Sequence, residues 1–151
     1  LASRYRDLQS AVHPDRFANA TDVEQRIAMA RAVEINDAYN TLKDPVRRAM
    51  HLLSLKGIDA LAASDTSMPV DFLMEQVEWR EALADAKLKE DSERLEEMAS
   101  EITSILHSLG DTFAAAWRGE HLPVATTLAR KMRFMQKLGD EVDAALADLE
   151  Q

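Results

Sequence analysis

The sequence predicts an all-α protein, and three observations carry that reading. Ala, Leu, Glu, Arg and Met, all strong helix formers, dominate the chain. Four glycines and four prolines in 151 residues leave little punctuation for β-turns. Alternating runs of Val, Ile, Thr or aromatic residues are missing. Hydrophobic residues make up 46%, enough for a packed core in one or two small domains. There is no cysteine, which excludes disulfides and thiolate metal sites and fits a reducing, cytoplasmic setting. No apolar run approaches the roughly 20 residues that span a bilayer, so no membrane partner is implied. Leu1 stands where an initiator Met belongs, and the chain begins in mid-pattern; this reads as a fragment lacking its N-terminal end.

Charge divides the chain. Residues 1–57 hold nine Lys/Arg against seven Asp/Glu, a net +2, whereas residues 58–151 hold nine against twenty, a net −11. Such a split suggests two modules with different partners. A nucleic-acid backbone is not among them, because the larger module would repel phosphates.

Leu1, Tyr5, Leu8 and Val12 form one stripe of a first helix, with Arg4, Arg6, Asp7 and Ser10 off it. Pro14 ends that helix and pushes His13 out of α geometry, so residues 13–20 read as a loop. "TDVE" at 21–24 is a capping-box pattern that starts a helix running to about Leu42. Its inward positions include Val23, Ile27, Ala30, Ala38, Tyr39 and Leu42. Asp44 and Pro45 suit the cap and first position of a short helix that ends at Gly57. Residues 57–68 look like a linker. A helix follows from about Pro69 to Lys87. A longer one covers 90–118, where Leu88, Leu95, Ile102 and Leu109 repeat every seven, as do Ala99, Leu106 and Phe113. "RGEHLP" at 118–123 turns the chain into a last helix over 123–150. There Leu128, Met132, Met135, Gly139, Val142, Leu146 and Leu149 alternate at spacings of 4 and 3, a bundle seam. The short connections predict an antiparallel three-helix bundle.

Residues 1–42 thus read as an antiparallel helical hairpin with a stiff polar tip, His13-Pro14-Asp15. Pro14 fixes the backbone, so the triplet is presented with little ordering entropy left to lose on binding. The Asp15 carboxylate suits a bidentate hydrogen bond from an arginine. Arg4 and Arg6 lie on the solvent side of the preceding helix and would steer it towards an acidic surface. In the second module Leu73, Met74 and Val77 share one side of a helix, and Glu78, Glu81 and Asp85 make a neighbouring acidic stripe. An apolar patch edged by carboxylates suits a protein partner, and Met74 offers a deformable contact.

"YRDLQSAVHPDRF" (5–17) followed by "EINDAYNTLKDPVRRAMHLL" (34–53) resembles the J domain, and more closely the HscB (Jac1-type) J-protein co-chaperones of iron–sulfur cluster assembly. "FLMEQVEWREAL" (72–83) and "RKMRFMQKL" (130–138) fit that family's C-terminal domain, so the resemblance covers nearly the whole chain. It implies a J-domain helical hairpin at 1–56, its first helix missing from this chain, a linker at 57–68 and a scaffold-binding three-helix bundle at 69–151. It further implies a non-enzymatic adaptor without cofactor. The adaptor binds the scaffold protein IscU, delivers it to the DnaK-type chaperone HscA and stimulates that chaperone's ATPase. Carried over by motif, His13, Pro14 and Asp15 are the triggering loop, and Arg4, Tyr5 and Arg6 face the chaperone. Leu73, Met74, Val77, Glu78, Glu81, Asp85 and Phe134 match the scaffold-binding surface. Many J domains carry Tyr-Asp where Met50-His51 stand here; HscB-type members tolerate this.

Blander readings compete. A lone histidine is ordinarily a surface residue, but within His-Pro-Asp between two amphipathic helices the balance reverses. His13, His51, His107 and His121 lack ligand spacing, which speaks against a metal site. Phe134 and Val77 would by default be core, and only the resemblance makes them binding residues. Trp79, Trp117 and most methionines read as packing. An enzyme using His13 and Asp15 as acid and base would lack a nucleophile, a phosphate loop and a metal set. A structural coiled coil dimerising through the seams at 88–149 is the other alternative.

Overall fold

The structure, a computed structural model, describes residues 1–62 and 68–151. Every regular element among them is helical: α1 (Ala2–Ala11), a 3-10 turn (Pro14–Phe17), α2 (Asp22–Lys43), α3 (Pro45–Ser54), α4 (Val70–Leu88), α5 (Ser92–Arg118) and α6 (Leu122–Leu149). None of these helices is long and apolar enough to cross a membrane. The all-α expectation holds. The chain forms two compact units, Leu1–His51 and Leu52–Gln151. The boundary falls inside α3.

Helix ends follow from short-range chemistry. The Thr21 hydroxyl accepts from the Glu24 amide at 3.2 Å and starts α2. Asp44 Oδ1 accepts from the amides of Val46 and Arg47 at 2.9 and 3.0 Å, with Pro45 in the first position of α3. Asp91 Oδ1 caps α5 through the Arg94 amide at 3.0 Å. Gly57 adopts φ +74°, and the amides of Gly57 and Ile58 donate back to the carbonyls of Ser54 and Leu53. This Schellman arrangement needs a left-handed residue, which glycine supplies at no steric cost. The same two bonds close α4 and α5, but there the left-handed residues are Glu90 (φ 52°) and Glu120 (φ 58°).

In the larger unit, α5 and α6 pair along most of their length. Leu95, Met98, Ile102, Met135, Leu138 and Val142 are buried where they meet, joined by Leu83 and Ala86 of α4. All seven seam positions expected on α6 are buried or half-buried, as are Ala99, Leu106 and Phe113 of α5. Gly139 lets the two helices approach closely: a Cβ there would lie 3.2 Å from Ile102 Cγ2. Leu88 is an exception, being 84% exposed at the last position of α4. Its heptad partners belong to α5, and the turn between the helices breaks the register. Trp79 packs on the core as expected, and Trp117 stacks on Phe113. Of the stretch expected to be a linker, residues 63–67 lie outside the described residues. Before them Ala60 is buried, and its carbonyl accepts from Arg130 Nε at 2.7 Å.

In the smaller unit α1 lies against α2. Tyr5 stacks on Tyr39 with centroids 4.0 Å apart, and its hydroxyl donates to Asn36 Oδ1 at 2.5 Å. Tyr39 and Leu42 are half-buried as expected, but Val23 and Ile27 are 64% and 56% exposed, and Ala30 and Ala38 are exposed too. The physical reason lies in what α1 offers. The face of α2 that meets Tyr5 through Asn36 and Tyr39 also carries Ala28, Ala32 and Ile35, all buried or half-buried, and Val23 and Ile27 lie on another face.

Two stability outcomes follow. A left-handed non-glycine residue costs on the order of 1 kcal/mol. Glu90→Gly should therefore raise the thermal midpoint by about 2–4 °C in a calorimetric scan, a gain reduced by glycine's greater freedom in the unfolded chain. Ile102→Ala should cost about 2–5 kcal/mol in denaturant titration, because it opens a cavity in the seam.

Candidate partner-binding surfaces

The first surface is built by the 3-10 turn. Residues 13–20, expected to be irregular, contain one short helix with Pro14 at its first position. His13 caps it: Nδ1 accepts from the Asp15 amide at 3.2 Å, and Asp15 Oδ2 lies 3.6 Å from the same nitrogen. An Nδ1 that accepts leaves the ring hydrogen on Nε2, so His13 presents an N–H donor beside the Asp15 carboxylate. The side chains are 54% and 93% exposed. The sequence pattern therefore yields one donor and one acceptor, held apart by a proline and open to solvent.

Gln25 holds the far side of this turn. Its amide nitrogen lies 3.0, 3.3 and 3.4 Å from the carbonyls of Phe17, Ala18 and Ala20. Nothing in the hydropathy pattern marks it; the signal is its place one residue past the capping box. Arg4 and Arg6 are exposed on α1, on the solvent side as expected. Tyr5, grouped with them by resemblance, is half-buried with its ring on Tyr39, and Gln9 donates to its hydroxyl at 3.1 Å. Its visible work is to hold α1 on α2.

The second surface is a groove between α4 and α6, with a volume of about 690 Å³. Leu73, Val77 and Glu81 line it from α4, at i, i+4 and i+8, and Phe134 lines it from α6. Leu73 and Val77 are 46% and 56% exposed. Phe134 is half-buried and fixed from two sides: Phe72 meets it edge-on at 5.6 Å, and the Arg80 guanidinium lies 5.4 Å above the ring. Arg80 is also paired with Glu141, which ties α4 to α6. Both partners are about two-fifths exposed, so the pair contributes no more than about 1 kcal/mol. Met74 and Glu78 are exposed on α4 beside this lining, and Asp85, further along the helix, pairs with Lys89 at 3.1 Å. The expected seven residues thus divide into four around the groove and three outside it. Arg80, Gln76, Arg130, Arg133 and Lys137 also line it. Arg80 was within reach of spacing, being seven residues beyond Leu73; the α6 residues needed the packing of two distant helices.

Among the described residues no three His, Cys, Asp or Glu side chains gather where a metal ion could be held. Gln25→Ala should speed amide exchange at Arg16 and Ala20, whose backbone bonds to His13 and Phe17 close the turn. Hydrogen-exchange mass spectrometry should show no change over α5 and α6.

The comparisons with known proteins agree with one another. Residues 68–143 match the family described as the HSCB C-terminal oligomerisation domain. The chain is 43% identical to the co-chaperone protein HscB homolog of Shewanella halifaxensis, over 98% of this chain and 89% of that protein. It is 40% identical to the homolog of Ralstonia nicotianae, over 99% and 86%. Among solved structures, chaperone HscB from Vibrio cholerae superposes with a TM-score of 0.82 at 35% identity, covering 98% of this chain and 87% of that one. Human co-chaperone protein HscB gives 0.85 at 29% identity, covering 95% and 71%. With its fold and nearly its whole length matched at about 40% identity, the chain belongs to the HscB family of co-chaperones.

Proposed function

We propose that this co-chaperone couples a client to a chaperone ATPase in iron–sulfur cluster assembly. Its bundle binds the scaffold protein IscU, and its His-Pro-Asp turn stimulates ATP hydrolysis by the DnaK-type chaperone HscA. The observation that carries the reading is a division of labour. A stiff, solvent-open donor–acceptor turn lies on the basic unit, and an apolar groove with charged edges lies on the acidic one. Neither surface gathers a nucleophile with a base, which fits an activator of another protein's chemistry. Asp15, almost fully exposed, can accept from a chaperone arginine without first breaking a strong internal contact. Leu73, Val77 and Phe134 supply the apolar centre of a protein interface. A cytoplasmic setting fits a chain without cysteine.

Dimerisation through the helical seam has weaker support. Met132, Met135, Leu138 and Val142 are at most 2% exposed within one chain's bundle, so the seam offers little surface to a second copy.

ATP turnover by the chaperone, with and without this chain and the scaffold, tests the proposal. Asp15→Asn or His13→Gln should abolish stimulation while scaffold affinity stays within about twofold, since the variants lie on the other unit. Loss of both activities together would contradict the modular reading. Leu73→Ala combined with Phe134→Ala should weaken scaffold binding by about 2–4 kcal/mol in calorimetry, with basal stimulation by the free chain retained. Unchanged affinity would remove the groove as the scaffold site.

A further inference from the structure

Helix α6 is divided by charge. Between residues 122 and 139 it carries Arg130, Lys131, Arg133 and Lys137 and no carboxylate. From 140 to 150 it carries Asp140, Glu141, Asp143, Asp148 and Glu150 and no basic residue. In a module of net charge −11, this basic stretch is a local reversal of sign. Its members are used differently. Lys131 sits over the Phe72 ring at 5.4 Å, and Arg130 binds the Ala60 carbonyl. Arg133 and Lys137, one turn apart and both exposed, line the groove and have no ion-pair partner among the described residues. Of the groove's other two cations, Arg130 is held by the Ala60 carbonyl and Arg80 is already matched by Glu141. Across the apolar floor the α4 bank presents Glu81, exposed and likewise without an ion-pair partner there.

We infer that the groove is electrically polar across its width and sets the direction in which its protein partner lies. It takes a segment whose apolar side chain seats on Leu73, Val77 and Phe134. A carboxylate of that segment meets Arg133 and Lys137 on the α6 side, and a lysine or arginine meets Glu81 on the α4 side. This rests on the reading that the groove binds the scaffold protein. Two banks of opposite sign do what an apolar patch cannot: the reversed orientation sets like charges against each other on both sides, so only one direction is attractive. Water excluded by the apolar contact strengthens the charge contacts beside it.

The test uses the full chain and the scaffold protein in calorimetry at low and at moderate salt, with circular dichroism to check folding. Arg133→Glu with Lys137→Glu should weaken binding about tenfold at low salt and flatten its salt dependence. Glu81→Lys should weaken it by a smaller factor. Lys87→Glu with Arg118→Glu makes the same change in net charge outside the groove lining and should leave affinity near that of the parent. Equal losses for the two charge-reversed pairs would show that net charge alone matters and would overturn the inference. If Leu73→Ala with Phe134→Ala weakens binding and the Arg133/Lys137 reversal does not, polarity falls and the scaffold reading stands. If neither moves affinity, the scaffold reading fails and this inference with it. Sedimentation of the chain alone supplies the last outcome: a dimer dissolved by the Arg133/Lys137 reversal would assign the groove to a second copy and overturn the proposal.

Discussion

Where α5 meets α6, Met98, Ile102, Met135, Leu138 and Val142 lose nearly all contact with water. Burying five such side chains contributes on the order of 10 kcal/mol before conformational entropy is set against it. The close approach at Gly139 belongs to the same constraint: it fixes how the helices are rotated, and rotation decides which side chains face out. Met135 and Leu138 point into the seam, and Phe134 and Lys137, each one position away, line the groove. A shift of one position at the seam would exchange core and surface residues. The groove is therefore a consequence of core packing. The Arg80–Glu141 pair and the Phe72–Phe134 contact then fix α4 against that frame.

The smaller unit is held differently. In α1 and α2 the buried class contains only Ala28, and the contact between them centres on the Tyr5–Tyr39 stack and the hydroxyl bond to Asn36. Aromatic stacking and one hydrogen bond contribute a few kcal/mol together, far less than the seam. Local order at the His-Pro-Asp turn consequently depends on short-range devices: a proline that fixes φ, a histidine that caps, and Gln25 bonded to the carbonyls that follow. The turn needs little burial, because it is shaped by its own few residues.

That contrast explains what was legible in the sequence. The Thr21 and Asp44 caps, the Gly57 stop and the triplet are local patterns, and each is read without knowledge of the rest of the chain. The α6 seam was legible because one apolar stripe runs unbroken over most of a 28-residue helix. The inner face of α2 was not, because apolar residues lie on several of its faces. Its partner chose the face through tyrosine and asparagine, which a hydropathy pattern does not weigh. Leu88 misled for a related reason: a heptad count continues through a turn that the helix does not. Of the groove, spacing put Leu73 and Val77 on one side of α4, but only the resemblance made Val77 and Phe134 binding residues. Arg133 and Lys137 became groove residues only once α4 and α6, about fifty residues apart in the sequence, were packed side by side.

Charge completes the argument for two separate tasks. The basic unit attracts an acidic surface, and the acidic bundle repels that same surface except along one stretch of α6. On the proposed reading, a chaperone surface suited to Arg4, Arg6 and the turn is disfavoured over most of the bundle, and the scaffold has its best match where sign reverses beside apolar side chains. The two partners then need not compete for one patch, although one chain of 151 residues holds both. Covalent linkage keeps each partner at a high effective concentration near the other once both are bound. On the proposed reading, that physical effect is what the co-chaperone contributes to a reaction its partner carries out.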